Sequence, residues 1–382
     1  AVGYHSLLAN TTGTSNVALG ALALDANTTG DQNVGVGKNA IGTNTTGDAN
    51  TAIGHGALAV ATTASNNTAV GFHSLVANTT GPNNVAVGAT SLQANTTGSN
   101  QTAVGHGVLL ANTTGYRNTA IGAAAMAANT TGIYNTAIGF TALDANTTAN
   151  SNTSMGYASM TTNTTGGTNV AVGAYALTAN TTASNNTAVG YDSLKANTTG
   201  GGNTAFGSAA GNSITTSVNN TCIGTNADSN GTTGNGNISI GNNAQKSTVT
   251  SAGQCTLGDS AITNLRCNDT SISSLSDSRD KTNIVDIPLG LNFLNTVRPV
   301  SFDWDRRDGS MVGKKDFGFI AQELKTAADA TVYADHMRLV QDDNPNKLEA
   351  DPMKMFPILV KAIQELSAQN AALTARIETL EG

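Results

Sequence analysis

The chain has 382 residues, a formal net charge of -7, and few charged (11%) or aromatic (4%) side chains. With no basic run, nucleic-acid binding has no support, and no apolar stretch reaches the roughly 20 residues of a membrane span, so membrane insertion is not expected. Residues 1–275 hold 13 charged side chains and no Glu, whereas residues 276–382 hold 30, which puts a domain boundary near Ser276. The chain opens inside a repeat and without Met, so it reads as a truncated or mature fragment, and the lack of a signal peptide is uninformative.

From Ala1-Val2-Gly3 to Thr256-Leu257-Gly258 a small-large-glycine tripeptide recurs 16 times at an unbroken step of 17 residues. Such a period means stacked units that bury a shared core only together. The large residue (Val2, Leu19, Val36, Ile53, with Met155 and Phe206 as the bulkiest) is expected to face that core. The small residue before it is expected to allow close approach on the opposite face. The glycine suits a turn with positive φ or no room for a Cβ. Four residues later Leu7, Leu24, Ile41 and their equivalents through Leu194 supply a second apolar anchor.

The polar half of the unit is equally regular. Asn16, Asn33, Asn50 and Asn67 begin a column, replaced only by Gln101 and Gln254, whose amides are expected to hydrogen-bond along the stack. NTT[GA] segments such as Asn10 to Gly13 and Asn27 to Gly30 mark a turn-forming corner. Their match to the glycosylation acceptor pattern is read as a by-product of the repeat. The reading is a β-solenoid shaft over 1–260, roughly 75 Å long at the usual strand spacing, followed by a linker over 261–275. So thin a core is expected to drive lateral association of several rods.

Cys222, Cys255 and Cys267 have no metal-ligand spacing, and Cys222, in the small position, reads as a buried free thiol. His5, His55, His73 and His106 fall just past repeat glycines and read as solvated turn residues, so neither a metal nor another cofactor is expected.

The array resembles the head repeats of trimeric autotransporter adhesins and the shafts of phage tail fibres. That resemblance implies a β-roll built from three chains.

At the boundary stands SDSRDK, Ser276 to Lys281. A serine and a lysine five apart can meet across a turn, and a desolvated lysine can deprotonate the hydroxyl. SDSRDKTNI, PVSFDW (Pro299 to Trp304), GFIAQEL (Gly318 to Leu324) and VKAIQEL (Val360 to Leu366) together resemble, in order, the self-cleaving intramolecular chaperone domain. This domain ends phage tail spikes and fibres and occurs in the myelin regulatory factor. The resemblance implies Ser276 as nucleophile, Lys281 as base and Leu275-Ser276 as the scissile bond. It implies supporting roles for Asp277 and Arg279 and a core-supporting or interface role for Gln322 and Glu323. A histidine common in the family ahead of GFIAQE is absent here, where Asp316-Phe317 stands.

Over 357–382 the pattern predicts a helix with Leu359, Leu366, Leu373 and Leu380 at one heptad position and Ile363, Asn370 and Ile377 at the other. The side chains alone lean toward a parallel dimer; the resemblance implies a trimer, which is the reading adopted. The whole is then mainly β: a solenoid shaft and a small α+β domain at 276–382. The function it suggests is a homotrimeric virus tail fibre or surface adhesin, located on the virion or the extracellular surface and able to meet a host glycan or protein receptor. Its C-terminal domain would direct assembly and then remove itself. A polysaccharide-binding or -degrading spike is the alternative, with Asp25 and Asp31 as the densest shaft carboxylates, and an ice-binding solenoid is a remote third.

Overall fold

Each 17-residue step lays down one three-residue strand, from β1 (Val17–Leu19) and β2 (Val34–Val36) through β15 (Cys255–Leu257). Successive strands pair in parallel and in sequence order in a single 15-stranded sheet, Ala18 opposite Gly35 and Gly35 opposite Ala52, and Val2 adds a bridge to Leu19. The computed structural model describes residues 1–228, 230–259, 261–262, 276–307 and 311–381. It divides into two compact units, Ala1–Asp259 and Ser260–Gly382. Of the expected linker only residues 261–262 are described.

The expectation that the Val2, Leu19, Val36 series faces the core is wrong, because the strand presents its middle residue inward. Ala18, Ala52, Ala69 and Ala86 are buried, while Leu19 is 49% exposed and Phe206 58%. Volume decides this. Leu24, Ile41, Leu58, Leu75 and their successors to Leu194 are fully buried and fill the interior from the opposite side. At Gly35 even a methyl would lie 3.3 Å from Leu24 Cγ. A coil this narrow holds one column of large side chains, so the facing column must be small.

The repeat glycine is required by both conformation and space. Gly20 has φ +136°, and a Cβ there would sit 2.6 Å from the Gly37 carbonyl oxygen of the next coil. Other corners put ordinary residues in the left-handed region: Gln32, Asn39 and Ile41 have φ of 59°, 60° and 53° within one coil. Each costs about 1–2 kcal/mol relative to right-handed backbone, so a coil is unfavourable alone and is stabilised by its neighbours.

Two buried amide ladders tie each coil to its neighbours. In the expected one, the Asn50 backbone N–H donates to Asn33 Oδ1 (3.0 Å) and its side chain donates to the Ala64 carbonyl (2.8 Å). Gln101 substitutes fully, donating from its backbone to Asn84 Oδ1 and from its side chain to the Gly115 carbonyl. The second is formed by the NTT asparagines, which are buried rather than displayed at a turn. Asn112 Nδ2 donates to Asn95 Oδ1, and Asn129 Nδ2 to Asn112 Oδ1, each at 2.8 Å. The first threonine of each pair is also engaged, as when Thr28 Oγ1 donates to the Thr45 carbonyl (2.8 Å).

Near the end of the array Asp228 takes the leucine position and lies 3.8 Å from Lys246, both side chains fully buried. Burial pushes the Asp228 carboxyl up and raises the adjacent Cys222 thiol to about 12. Cys222 is thus the buried free thiol expected; Cys255 is exposed, and Cys267 lies outside the described residues. His5, His55 and His106 are exposed on turns and His73 half-buried.

The second unit is small and mixed. A short helix α1 (Leu291–Leu294) precedes the hairpin strands β16 (Val300–Asp303) and β17 (Lys315–Gly318). Helices α2 (Ala321–Asp329) and α3 (Ala334–Met337) follow, then a two-residue pair β18 (Val340–Gln341) and β19 (Glu349–Ala350), and last the helix α4 (Phe356–Glu381). Phe293, Leu324, Ala328, Met337, Leu339, Met355 and Ile358 form its core. α4 docks by its first turns only: Ile358 and Ala362 are buried, and the Glu365 carboxylate accepts the Leu291 backbone N–H at 2.8 Å.

Candidate active site

The Ser276 to Lys281 segment folds around its own acid. Asp277 caps a single 3-10 turn, Ser278–Asp280, by accepting the Arg279 backbone N–H at 2.9 Å. The Arg279 guanidinium folds back onto the same carboxylate at 2.6 Å. The Arg279 hydrogen bonds hold the Asp277 carboxyl below the usual carboxylate range, and Asp277 in turn raises Arg279. Reversing the chain over this turn brings its two ends together. Lys281 Nζ donates to Ser276 Oγ at 2.6 Å and to the Ser276 carbonyl at 3.3 Å.

The sequence-derived pair is therefore in hydrogen-bond contact, and Asp277 and Arg279 shape the turn that joins it. All four lie on the surface of the single chain, with only Asp277 partly covered. Leu275, which would carry the attacked carbonyl, lies outside the described residues.

Residues 276–333 match the family model described as the chaperone of endosialidase. The family is a peptidase family. A chaperone-of-endosialidase segment behind a solenoid of 17-residue coils fits a tail fibre or spike that carries its own chaperone. The match ends at residue 333, so VKAIQEL, on which the sequence resemblance also drew, lies beyond it. No curated protein and no solved structure gave a match.

Within the chaperone-of-endosialidase segment Gln322 and Glu323 are exposed, so a core-supporting role for their side chains is excluded. Leu324 and Ala328, four apart on α2, take its inward face and turn the preceding two residues to solvent. Glu323 instead pairs with Arg298, whose hydrogen bonds hold its carboxyl low. Gln322 lines an open groove of about 1140 Å³ with Phe302, Trp304, Phe317, Ile320 and Pro352. Sequence reading missed Arg298, whose signal was its position directly before the PVSFDW motif.

The heptad residues of α4 all stand on its surface. Leu359, Ile363, Leu366, Leu373, Ile377 and Leu380 are exposed, Leu380 at 79%, and every residue from Leu366 to Glu381 faces solvent. Asn370 lies in the same row.

Proposed function

We propose that the chain is the shaft and chaperone of a homotrimeric fibre, and that its C-terminal domain brings three chains into register and then cuts the Leu275-Ser276 bond. The observation that carries the reading is the 2.6 Å hydrogen bond from Lys281 Nζ to Ser276 Oγ inside the family match.

In the proposed step Ser276 Oγ attacks the Leu275 carbonyl carbon, its proton passing to neutral Lys281 and from there to the departing Ser276 amide nitrogen. Water then hydrolyses the resulting ester, restoring the Ser276 hydroxyl and leaving a carboxylate on Leu275. A lysine acts as a base only where its charge is disfavoured by desolvation. Ser276 and Lys281 are open to solvent in one chain, so neighbouring chains would cover the pair and switch it on.

Two apolar surfaces support assembly. The 16 residues of α4 that face solvent along their whole length form a helix of marginal stability alone, and its 4-3 row of Leu and Ile suits partner helices. In the shaft, an all-parallel sheet normally has both faces covered. Here the outer face presents Leu19, Ile53, Val87, Ile121, Met155 and their equivalents in every coil. A second and third copy of the same column would bury it. The polysaccharide-degrading alternative finds no support at Asp31: Thr14 donates to it twice and holds its carboxyl low, the opposite of a general acid.

Denaturing gels of boiled samples test the cut. Wild type should yield a fragment beginning at Ser276, while Ser276→Ala and Lys281→Ala should stay full length and still assemble. Wild-type protein that assembles yet remains intact would overturn the reading.

A further inference from the structure

The corner that follows each repeat glycine varies along the shaft. Directly after the glycine it is small at Ala21, Ala89, Ala123 and Ser208 and large at Tyr4, Lys38, His55, Phe72 and His106, but only one run of four successive coils carries a Phe or Tyr in each: Phe140, Tyr157 and Tyr191 directly after the glycine and Tyr175 one residue later. Phe140, Tyr157 and Tyr191 are each about half exposed, and Tyr175 is half-buried between its neighbours. The ring centroids follow one another at 5.7, 5.3 and 6.0 Å, the first pair parallel and the next two edge-on. Beside them Lys195 Nζ sits 5.4 Å over the Tyr175 ring and pairs with Asp192 at 3.0 Å.

We propose that this aromatic rank, Phe140 to Tyr191 with Asp192 and Lys195, binds a neutral saccharide chain lying along the shaft. A pyranose has an apolar C–H face and a rim of hydroxyls. Aromatic rings offer the first a π-face with negative quadrupole, and the phenol hydroxyls offer the second a donor and acceptor. The ring-to-ring steps are comparable to the length of one sugar unit, so the exposed rings of Phe140, Tyr157 and Tyr191 each meet a sugar, while Tyr175, edge-on to both tyrosine neighbours and covered by Lys195, spaces them. Asp192 and Lys195 add polar contacts whose charges cancel, which favours an uncharged ligand over an acidic one. A second copy of the chain is the competing occupant. Copies of a periodic shaft meet through features present in every coil, as the outer Val/Ile/Leu column is, whereas this rank occupies four coils. The inference extends the proposed function to recognition and uses only shaft residues, so it does not depend on self-cleavage.

The assembled full-length protein is probed on an array of neutral and acidic oligosaccharides, alongside the double variants Tyr157→Ala/Tyr191→Ala and Tyr157→Phe/Tyr191→Phe. Light scattering checks that each keeps the wild-type mass. The wild type should bind neutral oligosaccharides, the alanine pair should lose at least tenfold in affinity at unchanged mass, and the phenylalanine pair should lose less because stacking survives. The proposal is overturned if no neutral oligosaccharide binds, if only acidic ones do, or if the alanine pair binds as wild type. It is equally overturned if the alanine pair loses its oligomeric state, which would assign the rank to contacts between copies. Failure of self-cleavage would appear separately on gels and leave this result readable.

Discussion

Asp277 organises the candidate dyad without touching it. By capping the 3-10 turn and gripping Arg279 it sets the path that returns Lys281 to Ser276. Its carboxyl is held below the ordinary value, so its contribution is complete above the usual carboxylate range and is lost as pH falls through the lowered folded value. Between neutral and mildly acidic pH the turn should therefore not change through this group. Asp277→Asn removes the ion pair at every pH and should slow appearance of the Ser276 fragment several-fold while leaving assembly intact, as timed gels would record. A variant cleaving at the wild-type rate would show that the turn needs no anchor. Much of this site was legible because Ser276, Asp277, Arg279 and Lys281 interact within six residues of chain. For Gln322 and Glu323 the motif left a core-supporting and an interface role open, because a motif reports which residues recur, while the inward face of α2 is set by Leu324 and Ala328, which leaves both side chains exposed in the single chain.

The coil shows what period can and cannot establish. A step of 17 placed the strands, the glycine column, the leucine column and one amide ladder. It could not say which side of a three-residue strand faces inward, since Ala18 and Leu19 recur equally strictly. The buried Leu24 column settles it by volume. The second ladder escaped because Asn and Thr are ordinary turn residues, although Asn112 and its equivalents are buried and bonded from coil to coil. Leu109→Ala would open a cavity that rigid neighbouring coils cannot close. It should cost about 2–5 kcal/mol, measured as a lowered unfolding midpoint of the shaft with the sheet spectrum unchanged. A loss below ~1 kcal/mol would mean that the leucine column is not the structural core.

At the scale of the whole molecule, stacking favourable only between neighbours creates a register problem. A slip of 17 residues between parallel shafts preserves nearly every contact, so the repeat cannot align three copies by itself. A C-terminal domain that assembles first would fix the alignment, and its removal would leave the shaft held kinetically. This order requires the cut to depend on assembly. Leu366→Pro breaks α4 where it leaves the domain core, while Ser276 and Lys281 are joined by a turn far away in sequence. The most direct measurement is the intact mass and oligomeric state of wild type and Leu366→Pro, followed in time after synthesis. The account predicts trimers that then release the fragment starting at Ser276, and a Leu366→Pro chain that stays both unassembled and uncut. A monomeric Leu366→Pro chain that releases the fragment at the wild-type rate would contradict it.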